Sequence, residues 1–190
     1  MTNKSVYLLL TDTGTLFTKA IKLYTENSYN HASIAFDETL TEVYSFGRKK
    51  VNNPFIGGFV RENMDEGLFQ NANCAIFEMT ITQKEYNIMQ QFIEEIAAVQ
   101  DDYRYNLMGL IAILFKVKLE RGNAFFCSEF VATVLSRSDR IKFNKPCSFI
   151  TPYDLQILEG MQLIYQGQLK YYNNFTEAET ASPFSEVLSI

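Results

Sequence analysis

A chain of 190 residues is long enough for one domain with a sizeable core. Its composition, 47% hydrophobic and 21% charged, excludes a disordered or fibrous protein. With 17 basic against 22 acidic residues and no basic run longer than Arg48-Lys49-Lys50, it lacks the basic face that nucleic acid requires as a partner.

In chain order, Val6–Leu10 is a short apolar strand, and Leu16, Phe17, Ala20, Ile21 and Leu23 fall at helical spacing within residues 13–24. The opening MTNKSVYLLLTDTG holds an apolar stretch too short for a signal-peptide core, so no export by that route is expected. Next, NSYNHASIAFDETLTEVYSFG reads as a β-hairpin turning at Asp37-Glu38-Thr39, with His31 opening its first strand. Residues 51–69 contain Asn-Asn-Pro and Gly-Gly and read as an irregular excursion with a short strand near Phe59-Val60.

Ala75-Phe77-Met79-Ile81 alternates as a half-buried strand does. The helix after it starts at a capping box, Thr82-x-x-Glu85, and carries an apolar face of Tyr86, Met89, Phe92, Ile93, Ile96 and Ala97. A more apolar helix is predicted from about Asn106 to Leu119. It contains the longest apolar run, Leu107 to Phe115, which is half a membrane span and implies no integral membrane segment. Then NAFFCSEFVATVL (123–135) gives a helix through Phe130, Val131, Val134 and Leu135, with Cys127 in or just before its first turn. Thr151-Pro152-Tyr153-Asp154 starts another helix, and Leu163–Tyr172 looks like strand around Gly167. Neither repeats nor a linker divide residues 1–190, so a single domain is expected, with about 173–190 as a loose tail.

Three cysteines, Cys74, Cys127 and Cys147, make an odd count without CxxC, which argues against a disulfide framework and a zinc site and fits a reduced, cytoplasmic compartment. A helix start is where a thiol ionises most easily, because unpaired N–H groups and the positive end of the dipole stabilise a thiolate. A buried cysteine is also a good small hydrophobe, and Cys74 and Cys147, without helix-start context, read as packing residues. If thiol chemistry operates, Cys127 is the best-placed nucleophile and His31, the sole histidine, must be its base. Glu129 reads as a helix-start residue rather than a second acid.

The run YNHASIAF (29–36), a second strand, YRYNLMGL (103–110), FFCSEFVATVL (125–135) and TPYDL (151–155) together resemble the circularly permuted NlpC/P60 papain-like superfamily, and more narrowly the permuted papain-like amidases of the YaeF/YiiX type. The resemblance spans residues 5 to about 170, and the His-before-Cys order agrees. It implies an α+β, papain-like fold of permuted topology, with an antiparallel sheet packed against helices. It also implies a cysteine amidohydrolase or peptidase working through an acyl-enzyme on Cys127, with His31 as base and neither metal nor cofactor. The substrate would be a small amide, a peptide or an acyl compound such as a lipid. Rival readings are a lipid-directed thiol acyltransferase or phospholipase-like enzyme, and a catalytically silent lipid- or peptide-binding module.

The residue orienting His31 is left between two candidates. A tight turn at Glu38-Thr39 would pair His31 with Phe46 and put Glu42 and Tyr44 on the His31 face, whereas a register change of one would put Ser45 there. Tyr44, Tyr105 and the phenylalanines Phe55 and Phe59 are the candidate substrate-binding residues. Those phenylalanines would offer an apolar wall if their segment borders the cleft, and would fill the core if it does not.

Overall fold

The computed structural model describes residues 3–12, 28–48, 57–67, 69, 71–101, 104–105, 124–173 and 176. The helices expected over 13–24 and 106–119 lie outside these residues. The structure is α+β, built on a six-stranded antiparallel sheet. Its strands are β1 (Asn3–Asp12), β2 (His31–Ala35), β3 (Val43–Arg48), β4 (Gly57–Glu62), β5 (Asn73–Thr82) and β8 (Gln162–Gln168), in the order β4-β3-β2-β1-β5-β8. Two short strands, β6 (Arg104–Tyr105) and β7 (Ala124–Phe125), pair in parallel beside it. Among the described residues the α-helices are α1 (Gln83–Ala98), α2 (Cys127–Leu135) and α3 (Pro152–Gln156).

The central strand β1 is buried on both faces, which is why its sequence is an unbroken apolar run rather than an alternation. Val6, Leu8 and Leu10 face a core shared with Met89, Ile93 and Ile96 of α1 and Phe130, Val131, Val134 and Leu135 of α2. Tyr7 and Leu9 face a smaller cluster with Cys74, Ile76, Leu169 and Tyr172. The capping boxes are both formed: Thr82 with Glu85 opens α1, and Thr151 with Asp154 opens α3. Glu85 also binds Arg140 and Ser138, tying the start of α1 to the chain beyond α2. Among the described residues no helix is long and apolar enough to cross a membrane.

The excursion expected over 51–69 contains a strand of six residues, β4, paired with β3 from Val43↔Glu62 to Arg48↔Gly57. Its two glycines mask the pattern, but Phe59 faces the main core and Val60 and Glu62 alternate with their neighbours as strand residues do.

Register in the β2–β3 hairpin is set by its turn. Asp37 accepts from the N–H groups of Thr41 (2.8 Å) and Glu42 (2.6 Å) and from the hydroxyl of Thr39 (2.6 Å). The loop therefore closes with Phe36 N–H donating to the Glu42 carbonyl, and the ladder runs Ala35↔Val43, Ile34↔Tyr44. That is one residue away from the pairing a tighter turn gives. Ser45 consequently lies on the His31 face, and Tyr44 lies on the helix-facing side against Phe36 and Phe59.

Candidate active site

The amphipathic pattern of residues 127–135 makes α2, and its apolar side packs on the sheet through Phe130, which meets the rings of Phe46 on β3, Phe59 on β4 and Phe125 on β7. That packing fixes where the helix begins. Cys127 is its first residue, and Phe126 precedes it in extended conformation.

β2 and β3 pair only at their turn-side end, while β3 and β4 stay paired along their length. The β2 backbone around Ala32 is thus released from the ladder, and its N–H is directed at the Cys127 sulfur instead. The Ser128 N–H, at a helix start and so without an intrahelical acceptor, is a second donor to the same sulfur. Burial disfavours charge on this thiol, which is only 7% exposed. The His31 hydrogen bond and charge and the two N–H donors outweigh that burial and hold it below the ordinary thiol value.

His31 bridges this sulfur and an acid. Its Nε2 lies 2.7 Å from Glu62 Oε1, which leaves Nδ1 as the nitrogen for Cys127. Burial opposes the imidazolium, but Glu62 and the Cys127 thiolate raise the His31 pKa well above the usual histidine value. The ring lies 5.9 Å from that of Phe69, centroid to centroid. On the other side a Cβ at Gly47 would sit 3.6 Å from His31 Cε1 and 3.3 Å from Ser45 Oγ.

Glu62 reaches His31 from two strands away, across β3. Burial again works against its charge, yet His31 and the hydroxyls of Ser33 and Ser45 hold the carboxyl below the usual range. Ser45 Oγ donates to Oε1 at 2.5 Å and Ser33 Oγ to Oε2 at 2.5 Å. The product is a series, thiol, imidazole and carboxylate, in which each group stabilises the charge of the next. Such a series can hold a thiolate–imidazolium pair at neutral pH and shuttle one proton.

Of the residues singled out from sequence, the structure brings Cys127, His31 and Ser45 together, with Ser45 acting on Glu62 rather than directly on the ring. Glu42 is not part of the group: its backbone closes the hairpin turn against Phe36 and Asp37, at the opposite end of β2 from His31. Tyr44 and Phe59 stack on each other at 5.9 Å on the helix-facing side, so Phe59 fills the core and neither faces the imidazole. Phe55 lies outside the described residues, as does the side chain of Tyr105, whose backbone belongs to β6. Glu129 accepts the Phe126 N–H, and burial pushes its carboxyl up to about 7. Two positions along a helix put it about 200° around the axis from Cys127. Cys74 is buried, its thiol pushed up to about 12, and Cys147 lies 3.5 Å from the Ser136 hydroxyl.

Glu62 and Ser33 were missed by sequence reasoning. The one sequence signal for Glu62 is partial: it stands two residues beyond Val60, hence on one face with it, but only the pairing of β4 with β3 shows that this is the His31 face. A cavity of about 800 Å³ opens beyond Glu62, between the β2–β3 turn, residues 61–65 and residues 169–173. Its described lining includes neither Cys127 nor His31. In comparison with known proteins, the chain matches no family model, no curated protein and no solved structure.

Proposed function

We propose that the protein is a cysteine hydrolase of the amidase or peptidase type, working through an acyl-enzyme on Cys127. The observation carrying this reading is the series Cys127, His31, Glu62, with the thiol at a helix start between two N–H donors. The resemblance of the His31 strand, the Cys-Ser-Glu helix start and Thr-Pro-Tyr-Asp-Leu to the permuted papain-like set supports the same reading, as does a thiol-bearing helix packed on an antiparallel sheet that carries the imidazole.

In the reaction the thiolate attacks the substrate carbonyl carbon, and the electron pair of the C=O bond moves onto oxygen. The backbone N–H groups at the start of α2 favour that oxyanion. The imidazolium then gives its Nδ1 proton to the leaving nitrogen or oxygen as the bond to carbon breaks. A water attacks the resulting thioester, His31 takes its proton, the acid departs, and the thiolate–imidazolium pair is restored. Glu62 keeps its charge throughout, holding the ring by Nε2 and offsetting the positive charge that forms on it. A small amide, peptide or acyl compound satisfies this chemistry. With Phe59 in the core, no apolar wall from that residue favours a lipid chain.

The test is pre-steady-state mixing with a p-nitrophenyl ester. A burst of nitrophenolate of about one equivalent is expected, together with an acyl adduct on the peptide containing Cys127, both absent in Cys127→Ala. A burst that survives Cys127→Ala, or its absence from native protein whose Cys127 is accessible to small alkylating agents, would overturn the proposal.

A further inference from the structure

Glu62 must span a full strand to reach His31. It belongs to β4, the imidazole to β2, and β3 lies between them. A glutamate making that reach alone would have several rotamers open to it. Here the carboxylate is gripped on both oxygens from the strands it crosses: Ser45 on β3 donates to Oε1, the oxygen that also meets His31, and Ser33 on β2 donates to Oε2. Both serines are fully buried, and the Glu62 side chain is 4% exposed. Parity puts His31, Ser33 and Ser45 on one sheet face, and β4 register puts Glu62 there too.

Two donors from hydroxyls and one from imidazole satisfy the carboxylate only in its ionised form. Protonating it would force one of these bonds to reverse. Among the described residues the titratable groups interacting with the imidazole are Glu62 and Cys127, so the Nε2 proton of the imidazolium faces the one and the Nδ1 proton the other. Transfer of the Nε2 proton to Glu62 would leave a neutral ring, whose remaining Nδ1 proton is far less acidic than an imidazolium's and is no longer readily given to the leaving group. We propose that Ser33 and Ser45 are positioning residues that fix Glu62 as an ionised acceptor, so that Nε2 keeps its proton and His31 stays an imidazolium able to pass its Nδ1 proton to Cys127 or the leaving group. The inference rests on the thiol–imidazole reading given above and deepens it by naming what sets its proton balance.

The test is the pH dependence of iodoacetamide alkylation at Cys127, followed by peptide mass spectrometry, in native protein and in His31→Ala, Glu62→Gln, Ser33→Ala, Ser45→Ala and the double serine variant. The midpoint of thiolate formation is expected to rise by about half a unit in each single serine variant and about one unit in the double variant. Ser33→Thr, which keeps a hydroxyl donor, is expected to stay near the native profile. Thermal melting identifies any variant that fails to fold, and the two serines, on separate strands, supply independent readings. Serine variants that overlap the native profile while His31→Ala and Glu62→Gln shift would overturn the clamp alone. An ordinary thiol midpoint in the native protein would overturn the clamp together with the reading beneath it.

Discussion

At the scale of single residues, the site depends on Glu62 more than on any residue apparent from the sequence except His31 and Cys127. Glu62→Gln keeps the shape but removes the charge that supports imidazolium. Ester turnover is expected to fall by about 10²–10⁴-fold with little change in KM, measured by steady-state kinetics. Unchanged kcat would show that the carboxylate is structural. Gly47 is a second test, because a methyl there would press on Ser45 Oγ and approach His31 Cε1. Gly47→Ala is expected to lower turnover while leaving the melting temperature nearly unchanged, since the neighbours give by only a few tenths of an ångström. The cysteine and the histidine were legible because their types are scarce and their contexts specific, a helix start and a strand opening. Glu62 was not, since an acid in a glycine-rich stretch looks like loop solvation until β4 is paired with β3.

At the scale of elements, the hairpin shows how a local side chain decides what a site contains. Asp37 collects the N–H groups of Thr41 and Glu42, and that lengthened turn moves the register by one, bringing Ser45 and removing Glu42. The sequence placed the turn but left open the register, because turn length rests on side-chain hydrogen bonds that alternation does not report. Helix starts were more legible, since capping boxes are local: Thr82-x-x-Glu85 formed as read. Glu85 is held far below the carboxylate range, chiefly by Arg140, with burial opposing and Ser138 and Thr82 assisting. A carboxyl whose folded pKa is depressed adds stability above its unfolded pKa, near 4.3, and loses it as pH falls toward the folded value. Urea midpoints measured from pH 6 down to pH 2 are expected to decline less steeply in Glu85→Gln than in the native protein. Thr82→Ala is expected to cost about 1 kcal/mol at pH 7 by the same assay.

At the scale of the whole molecule, one packing cluster carries both stability and site geometry. Phe130 anchors α2 on Phe46 and Phe59 of the sheet, and the same helix carries Cys127 at its first position. Phe130→Ala is expected to destabilise the fold by about 3–5 kcal/mol in urea denaturation and to loosen the thiol from His31. The sheet was legible in outline from alternating and unbroken apolar runs. Its strand order was not, because β1 is central only through pairing with β2 and β5, contacts that no local pattern encodes.

The central claim is that Cys127 and His31 exist as a thiolate–imidazolium pair, and its most direct measurement is the rate of Cys127 alkylation against pH in native protein and in His31→Ala. Because the folded thiol pKa is lowered, the native protein is expected to stay reactive well below pH 8, and His31→Ala to return the midpoint toward about 8.5. Cys74, buried and shifted upward, is expected to react only after unfolding and serves as an internal control. A Cys127 that reacts only after unfolding, or a native profile that His31→Ala leaves unmoved, would contradict the account.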